Sequence, residues 1–265
     1  MRASFSRRLG VAYNWLFYGF LLAPIVIVLI SSLNSGSDLT FPPEGLSLRW
    51  FRYLAGRGEF LAATYVSFKL AMAASVTAII LGLFASLALA RERFRGKEIV
   101  EALLMSPLVL PGIITGVALL QFFTLAGLGN SFLRLFLAHV VITSPYAVRS
   151  VSSCLYGIDP DLEEASYVMG ANAWRTFWKV LFPLLRPGIV AAFLFTFVTS
   201  FDNVVVSMYL VGSETVTLPI RIMTYLEWQF DPSIAAISTI FIAITVTLVV
   251  VGERVTGLSK RTMVG

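Results

Sequence analysis

Two groups of polar residues in this chain have the types and spacing that chemistry requires. Asp202 stands among Thr196, Thr199, Ser200, Asn203 and Ser207, within residues 188–210, a stretch that is otherwise apolar. On a continuous helix turning about 100° per residue, the five neutral members fall within about 100° of one face, with Asp202 about 60° beyond them. Hydroxyl and amide oxygens beside a carboxylate can replace part of a cation's hydration shell. Asp202 lies roughly 21 Å along such a helix from Gly188, which places it past the bilayer midplane. A carboxylate at that depth costs about 2.5–3.5 kcal/mol on insertion scales and marks a pathway or a buried partner. Two readings are open: a substrate-pathway group, or an ion pair with Lys69, Arg134 or a basic group on a second chain.

The second group is "EEASYVMGANAWRTFWKVLFPLL", residues 163–185, where Glu163, Glu164, Arg175 and Lys179 sit beside Trp174, Phe177, Trp178 and Phe182. The surrounding block, about 152–187, is too polar to cross a membrane and too long for a turn. Asp159 is placed to cap a helix with Pro160 at its first position, and Asp161, Glu163 and Glu164 complement the positive N-terminal dipole. Gly170 ends that helix, because glycine accepts the left-handed conformation of a helix stop. A second short helix follows from Asn172, with Trp174, Phe177, Trp178 and Leu181 spaced i, i+3, i+4, i+7 as one apolar stripe. Pro183 and Pro187 are expected to stop it before residue 188. An amphipathic pair lying on the inner leaflet is one reading. Anionic lipid repels an acidic first helix, however, and a glycine joint makes a knob. A knob with an aromatic core and charged rim suits a pocket in a protein partner.

Other chemistries are missing from the sequence. No G-x-x-x-x-G-K-[ST] occurs to cradle nucleotide phosphates, and neither G-x-S-x-G nor H-E-x-x-H is present. A His/Cys metal site is impossible with one histidine, His139, and one cysteine, Cys154. His139 reads as a packed imidazole inside a span, and Cys154 as a small apolar side chain. No catalytic residue, metal or cofactor is therefore expected on this chain.

The elements that must position these residues are membrane helices. The 265 residues are 57% hydrophobic and 13% charged, about half the charged fraction of soluble domains. Apolar stretches of about 20 residues, the length that crosses a core of about 30 Å, recur along the chain. Six spans are expected, at 13–33, 64–90, 100–125, 132–151, 188–210 and 234–252. The fold class is all-α, a single polytopic transmembrane domain over 1–265. The 64–90 span is rich in Ala, Gly and Ser, which favours close helix packing. In the 100–125 span, Pro107, Pro111 and Gly112 predict a kink or a flexible element lining a pathway. Trp50, Phe51, Tyr53, Leu54 and Phe60 beside Arg49, Arg52 and Arg57 predict a helix at the outer interface.

Placing the N-terminus in the cytoplasm puts fourteen Lys and Arg in cytoplasmic segments, including Arg91, Arg93, Arg95, Lys97, Arg175 and Lys179. Four fall outside: Arg49, Arg52, Arg57 and Arg221. This asymmetry follows the positive-inside rule and puts both termini in the cytoplasm, so the net charge of +5 orients the protein and implies no nucleic acid. The first apolar run is longer than a signal-peptide core, and no A-x-A-like site follows in "NSGSDLT", so an uncleaved span is expected. Beyond residue 210, Glu227 and Asp231 would add negative potential on the outer side.

Glu164-Ala165-Ser166, three residues, Gly170, nine residues and Val180-Leu181-Phe182-Pro183 resemble the E-A-A-x3-G-x9-I-x-L-P motif of permease subunits of binding-protein-dependent ABC importers. Ser for Ala, Val for Ile and Phe for Leu are the departures. The resemblance implies the type I importer permease fold, with the 152–187 loop docked in a groove of a cytoplasmic ATPase. On that reading Glu163, Glu164, Ala165, Gly170, Trp174, Arg175, Trp178 and Pro183 couple the two proteins. Asp202, Asn203, Thr199, Ser200 and Ser207 are the expected substrate pathway. The implied partners are a second permease, two ATPase copies holding ATP and Mg, an external solute-binding protein and the bilayer of a bacterial inner membrane. Residues 200–239 are similar more narrowly to the second permease of spermidine/putrescine-type importers, and related permeases for other small solutes share much of the stretch. A non-transporting adaptor that recruits an ATPase through the same knob is the alternative from a different class.

Overall fold

A computed structural model describes residues 2–229 and 231–256, and among these the regular structure is helical. The helices are α1 (Arg2–Ser31), α2 (Arg49–Ala55), α3 (Gly58–Arg91), α4 (Lys97–Val109), α5 (Gly112–Leu125), α6 (Ser131–Leu155), α7 (Asp161–Val168), α8 (Ala173–Thr176), α9 (Phe182–Phe201), α10 (Ser207–Leu210), α11 (Leu218–Trp228) and α12 (Ser233–Thr256). A π turn, Phe177–Leu181, joins α8 to α9. Among the described residues, five stretches are long and apolar enough to span a membrane: Tyr13–Ser31, α3, α6, Ala173–Phe201 and Ser233–Gly252. The bent pair of α4 and α5 makes a sixth when counted as one broken span. The architecture is all-α and polytopic, and the chain divides into two compact units.

The first unit comprises Met1–Leu61 and Ile222–Ile244. After α1, the fully buried Asn34 organises the loop. Its Oδ1 accepts the amides of Gly36 and Glu44, and its Nδ2 donates to the Asp38 carbonyl. The expected interfacial helix exists as α2 but ends at Ala55, and Trp50, Leu54 and Phe60 are buried in protein, not spread over an interface. Phe60 packs edge-on against Tyr225, 5.5 Å between ring centroids. The Tyr225 hydroxyl donates to Asp231 Oδ2 at 2.8 Å, and Asp231 Oδ1 accepts the Ser233 amide at the start of α12. Asp231 is thus engaged within the fold, whereas Glu227 is exposed.

The second unit comprises Ala62–Arg221 and Thr245–Gly265. Its helices pack on small residues, as the composition of α3 predicts. Ala71, Ala74 and Ala78 are fully buried, and a Cβ on Gly82 would stand 2.7 Å from the Ala147 Cβ. Lipid is as apolar as leucine, so this association rests on close van der Waals contact and interhelical hydrogen bonds. One such bond runs from Ser86 Oγ to the Val148 carbonyl at 3.0 Å. One core cluster gathers Leu83, Ala147, Val151, Leu155, Leu181 and Leu185; another gathers Leu70, Phe123, Leu135, Ile142 and Leu210.

The expected 100–125 span is two helices meeting at 111°, a break and not a simple kink. Pro111 causes it. Leu110 is extended (φ −77°, ψ 136°), as the residue before a proline must be, while Pro107 is carried inside α4.

Candidate functional site: an elbow and a helix break

The elbow is built by local rules. Asp159 Oδ1 accepts the Asp161 amide at 3.0 Å, and Pro160 occupies the cap, one position earlier than expected. Gly170 has φ +83°. The Ala171 amide reaches the Ser166 carbonyl and the Gly170 amide reaches that of Tyr167, a Schellman stop. Asn172 Oδ1 then caps the next turn through the Arg175 amide at 2.9 Å.

Two expectations about the second arm are corrected. Pro183 and Pro187 do not stop it, for helical structure runs unbroken from Ala173 to Phe201. The π turn Phe177–Leu181 lies just before Pro183, whose missing N–H falls where the wider turn passes back into α-helix, and Pro187 is carried within α9. The apolar stripe also divides. Leu181 is 5% exposed and joins the core with Phe177 packed against it, while Trp174 and Trp178 are 71% and 44% exposed. The wider π turn shifts side-chain register, so i, i+3, i+4, i+7 no longer share one face. Trp178 lies between its neighbours, edge-on to Trp174 at 5.5 Å and tilted against Phe182 at 4.8 Å between ring centroids.

Of the expected coupling residues, Glu164, Ala165, Gly170, Trp174, Arg175, Trp178 and Pro183 are exposed on this elbow. Glu163 turns inward instead. Its Oε1 lies 2.7 Å from Arg91 Nη2, pinning α7 to the C-terminal end of α3. Sequence reasoning missed that pair and also missed Ser166 Oγ against Thr176 Oγ1, 2.5 Å apart and buried, which joins the two arms. The signal for the second was present. Ser166 is the motif's departure from Ala, and a buried hydroxyl needs a partner.

The second site is the end of α9. The expected helix over 188–210 stops at Phe201, and α10 does not begin until Ser207. Asn203 supplies the local cause, because its Oδ1 accepts the amides of Val206 (3.0 Å) and Ser207 (3.2 Å). A side chain that satisfies backbone donors competes with helix continuation. The single polar stripe is therefore not formed. Thr196 is buried and bonds back to the Ala192 carbonyl. Ser200 and Ser207 are buried too, and both meet His139.

Thr199 and Asn203 face a cavity of about 190 Å³ shared with Pro107, Leu110, Gly112, Thr115 and Tyr146. Non-helical backbone at membrane depth is tolerated where it lines a cavity, and here the breaks after α4 and α9 adjoin the same one. Asp202, the residue before Asn203, is exposed and is not among the side chains that line it. The ion pair to Lys69 or Arg134 that the sequence left open is not made: Lys69 Nζ lies 4.9 Å over the Phe132 ring, and Arg134 Nε is buried without a partner. Among the described residues no group of three or more His, Cys, Asp or Glu is arranged to hold a metal.

The sequence pattern of the family described as "Binding-protein-dependent transport system inner membrane component" matches residues 3–264. The spermidine/putrescine transport system permease protein PotC of Haemophilus influenzae is 32% identical over 246 residues, 92% of this chain and 95% of that protein. The putrescine transport system permease protein PotI of Escherichia coli is 31% identical, over 85% of this chain and 82% of that one. Among solved structures, a bacterial ABC transporter for import of the acidic polysaccharide alginate superposes with a TM-score of 0.70 at 17% identity, covering 94% of this chain and 96% of that one.

Proposed function

Since the chain belongs to the family of binding-protein-dependent transport system inner membrane components, we propose that it is one permease half of an ATP-driven importer for small organic cations of the polyamine class. The observation that carries the solute class is Asp202, an exposed carboxylate next in sequence to the cavity-lining Asn203, with no pairing to Lys69 or Arg134. Names of relatives at about one-third identity support the same class.

On this reading a second permease completes the pathway and an external binding protein delivers the solute. Two ATPase copies receive the elbow, and ATP and Mg reside on them. Both termini lie in the cytoplasm. The chain itself transports and does not catalyse. A fixed negative charge offsets part of an ammonium's lost hydration, while Thr199 and Asn203 offer neutral acceptors that do not trap the ion.

The test is ATPase activity and uptake of the assembled complex in proteoliposomes, with putrescine, spermidine, amino acids and sulfate each delivered by the cognate binding protein. Polyamine stimulation that falls at least about tenfold in Asp202→Asn, with partial activity in Asp202→Glu, is the expected result. Stimulation by another solute class, or full polyamine uptake by the Asn variant, removes the assignment.

A further inference from the structure

His139 is fully buried on α6, and the proposed passage of solute makes no direct use of it. Its ring nevertheless reaches both sides of the break in the fifth span. Nδ1 lies 2.7 Å from Ser200 Oγ on the last turn of α9, and Nε2 lies 3.0 Å from Ser207 Oγ at the start of α10. Between those serines stand Asp202 and Asn203. In either tautomer one ring nitrogen donates its N–H and the other accepts a hydroxyl hydrogen, so each serine has a defined role.

The capping bonds of Asn203 fold the break onto itself, but they do not tie it to another helix. The imidazole does, because its two nitrogens point in divergent directions from one rigid ring. Away from water, such bonds are strong when complete and costly when half-made. We propose that His139 is a positioning residue for the solute site. It clips both sides of the break against α6 and so sets where the Asp202 carboxylate and the Asn203 amide stand relative to the cavity. This rests on the reading of Asp202 as a solute group, and two readouts keep the ideas separable.

The first readout is the half-saturating putrescine concentration for stimulated ATPase in the assembled importer. His139→Leu removes both bonds, whereas His139→Gln keeps one donor and one acceptor. The leucine variant should raise that concentration by about five- to tenfold, with glutamine recovering most of the loss. A normal value in His139→Leu beside a raised one in Asp202→Asn overturns the clip and leaves the solute site standing. The second readout needs no solute. In a Cys154→Ala background, Val206→Cys places a thiol in the break, where Val206 is buried and labels only when the segment opens. Its reaction with a water-soluble maleimide should quicken at least about threefold when His139→Leu is added, because a tethered segment opens less often. Equal rates overturn the proposal, whatever the solute result. Should the leucine variant fail to assemble, Ser200→Ala and Ser207→Ala each remove one bond without adding bulk, and the same readouts decide.

Discussion

Arg91 and Glu163 meet at 2.7 Å between Nη2 and Oε1, and Arg91 Nε donates to the same oxygen at 2.8 Å. The C-terminal end of α3 and the first arm of the elbow are thereby fastened through two partly buried side chains. A push on the elbow has a direct route into a membrane span. Glu163→Gln keeps the shape and removes the charge, and should cost about 1–2 kcal/mol, as expected for a charge-assisted bond in a partly wet setting. A double-mutant cycle with Arg91→Met, followed by thermal melting of the detergent-solubilised complex, should return a coupling energy near that value. Additive effects would mean the pair contributes nothing to stability.

Gly170 carries the sharp turn between α7 and α8 with φ +83°, and a Cβ there would meet no atom within 4 Å. Substitution is therefore limited by backbone conformation and not by space. Gly170→Val should cost about 1 kcal/mol or more, while Gly170→Asn should cost less because asparagine tolerates the left-handed region. ATPase pull-down should follow the same order, Gly above Asn above Val, with membrane insertion unchanged in all three. Equal pull-down for Val and Gly would show that the turn plays no part in docking.

Ser166 and Thr176 form a buried hydroxyl pair across the two arms. Ser166→Ala should destabilise by about 1 kcal/mol, since it strands one hydroxyl in an apolar setting. Adding Thr176→Val removes the stranded group, so the double variant should melt at or above the temperature of Ser166→Ala alone. A double variant that melts at the sum of two independent losses would contradict the pairing.

Trp174 and Trp178 project from the elbow whereas Leu181, on the same helical stretch, is 5% exposed. Trp178→Ala should weaken ATPase association by about 2 kcal/mol or more, the behaviour of an aromatic anchor, and leave melting of the permease nearly unchanged. Leu181→Ala should do the reverse, lowering stability by about 2–5 kcal/mol through the cavity it leaves. Titrating the ATPase onto each variant, together with a melt of the permease alone, separates the two effects.

Spans, caps and the elbow's joint were legible in the sequence because each depends on residues close together in the chain. Apolar runs of membrane length need no partner to be recognised, and α1, α3, α6 and α12 fall where composition puts them. Asp159, Gly170 and Asn172 act on backbone groups within a few residues of themselves, so their roles follow from type and position. Pro111 likewise marks a kink or flexible element, although not the full break of 111°, which the packing around α4 and α5 sets. The π turn before Pro183 could not be read, since it depends on how Phe177 and Leu181 seat in the core while the tryptophans stay out. Neither could the sorting of the polar residues near Asp202. Periodicity assumed one continuous helix, but Asn203 ends it. His139, 61 and 68 positions away from the serines it meets, then turns Ser200 and Ser207 into anchors, leaving Thr199 and Asn203 at the cavity. Arg91 and Glu163, 72 residues apart, are joined for the same reason. Contacts between distant residues are decided only when helices pack, because only there does a buried polar group find, or fail to find, the partner it requires.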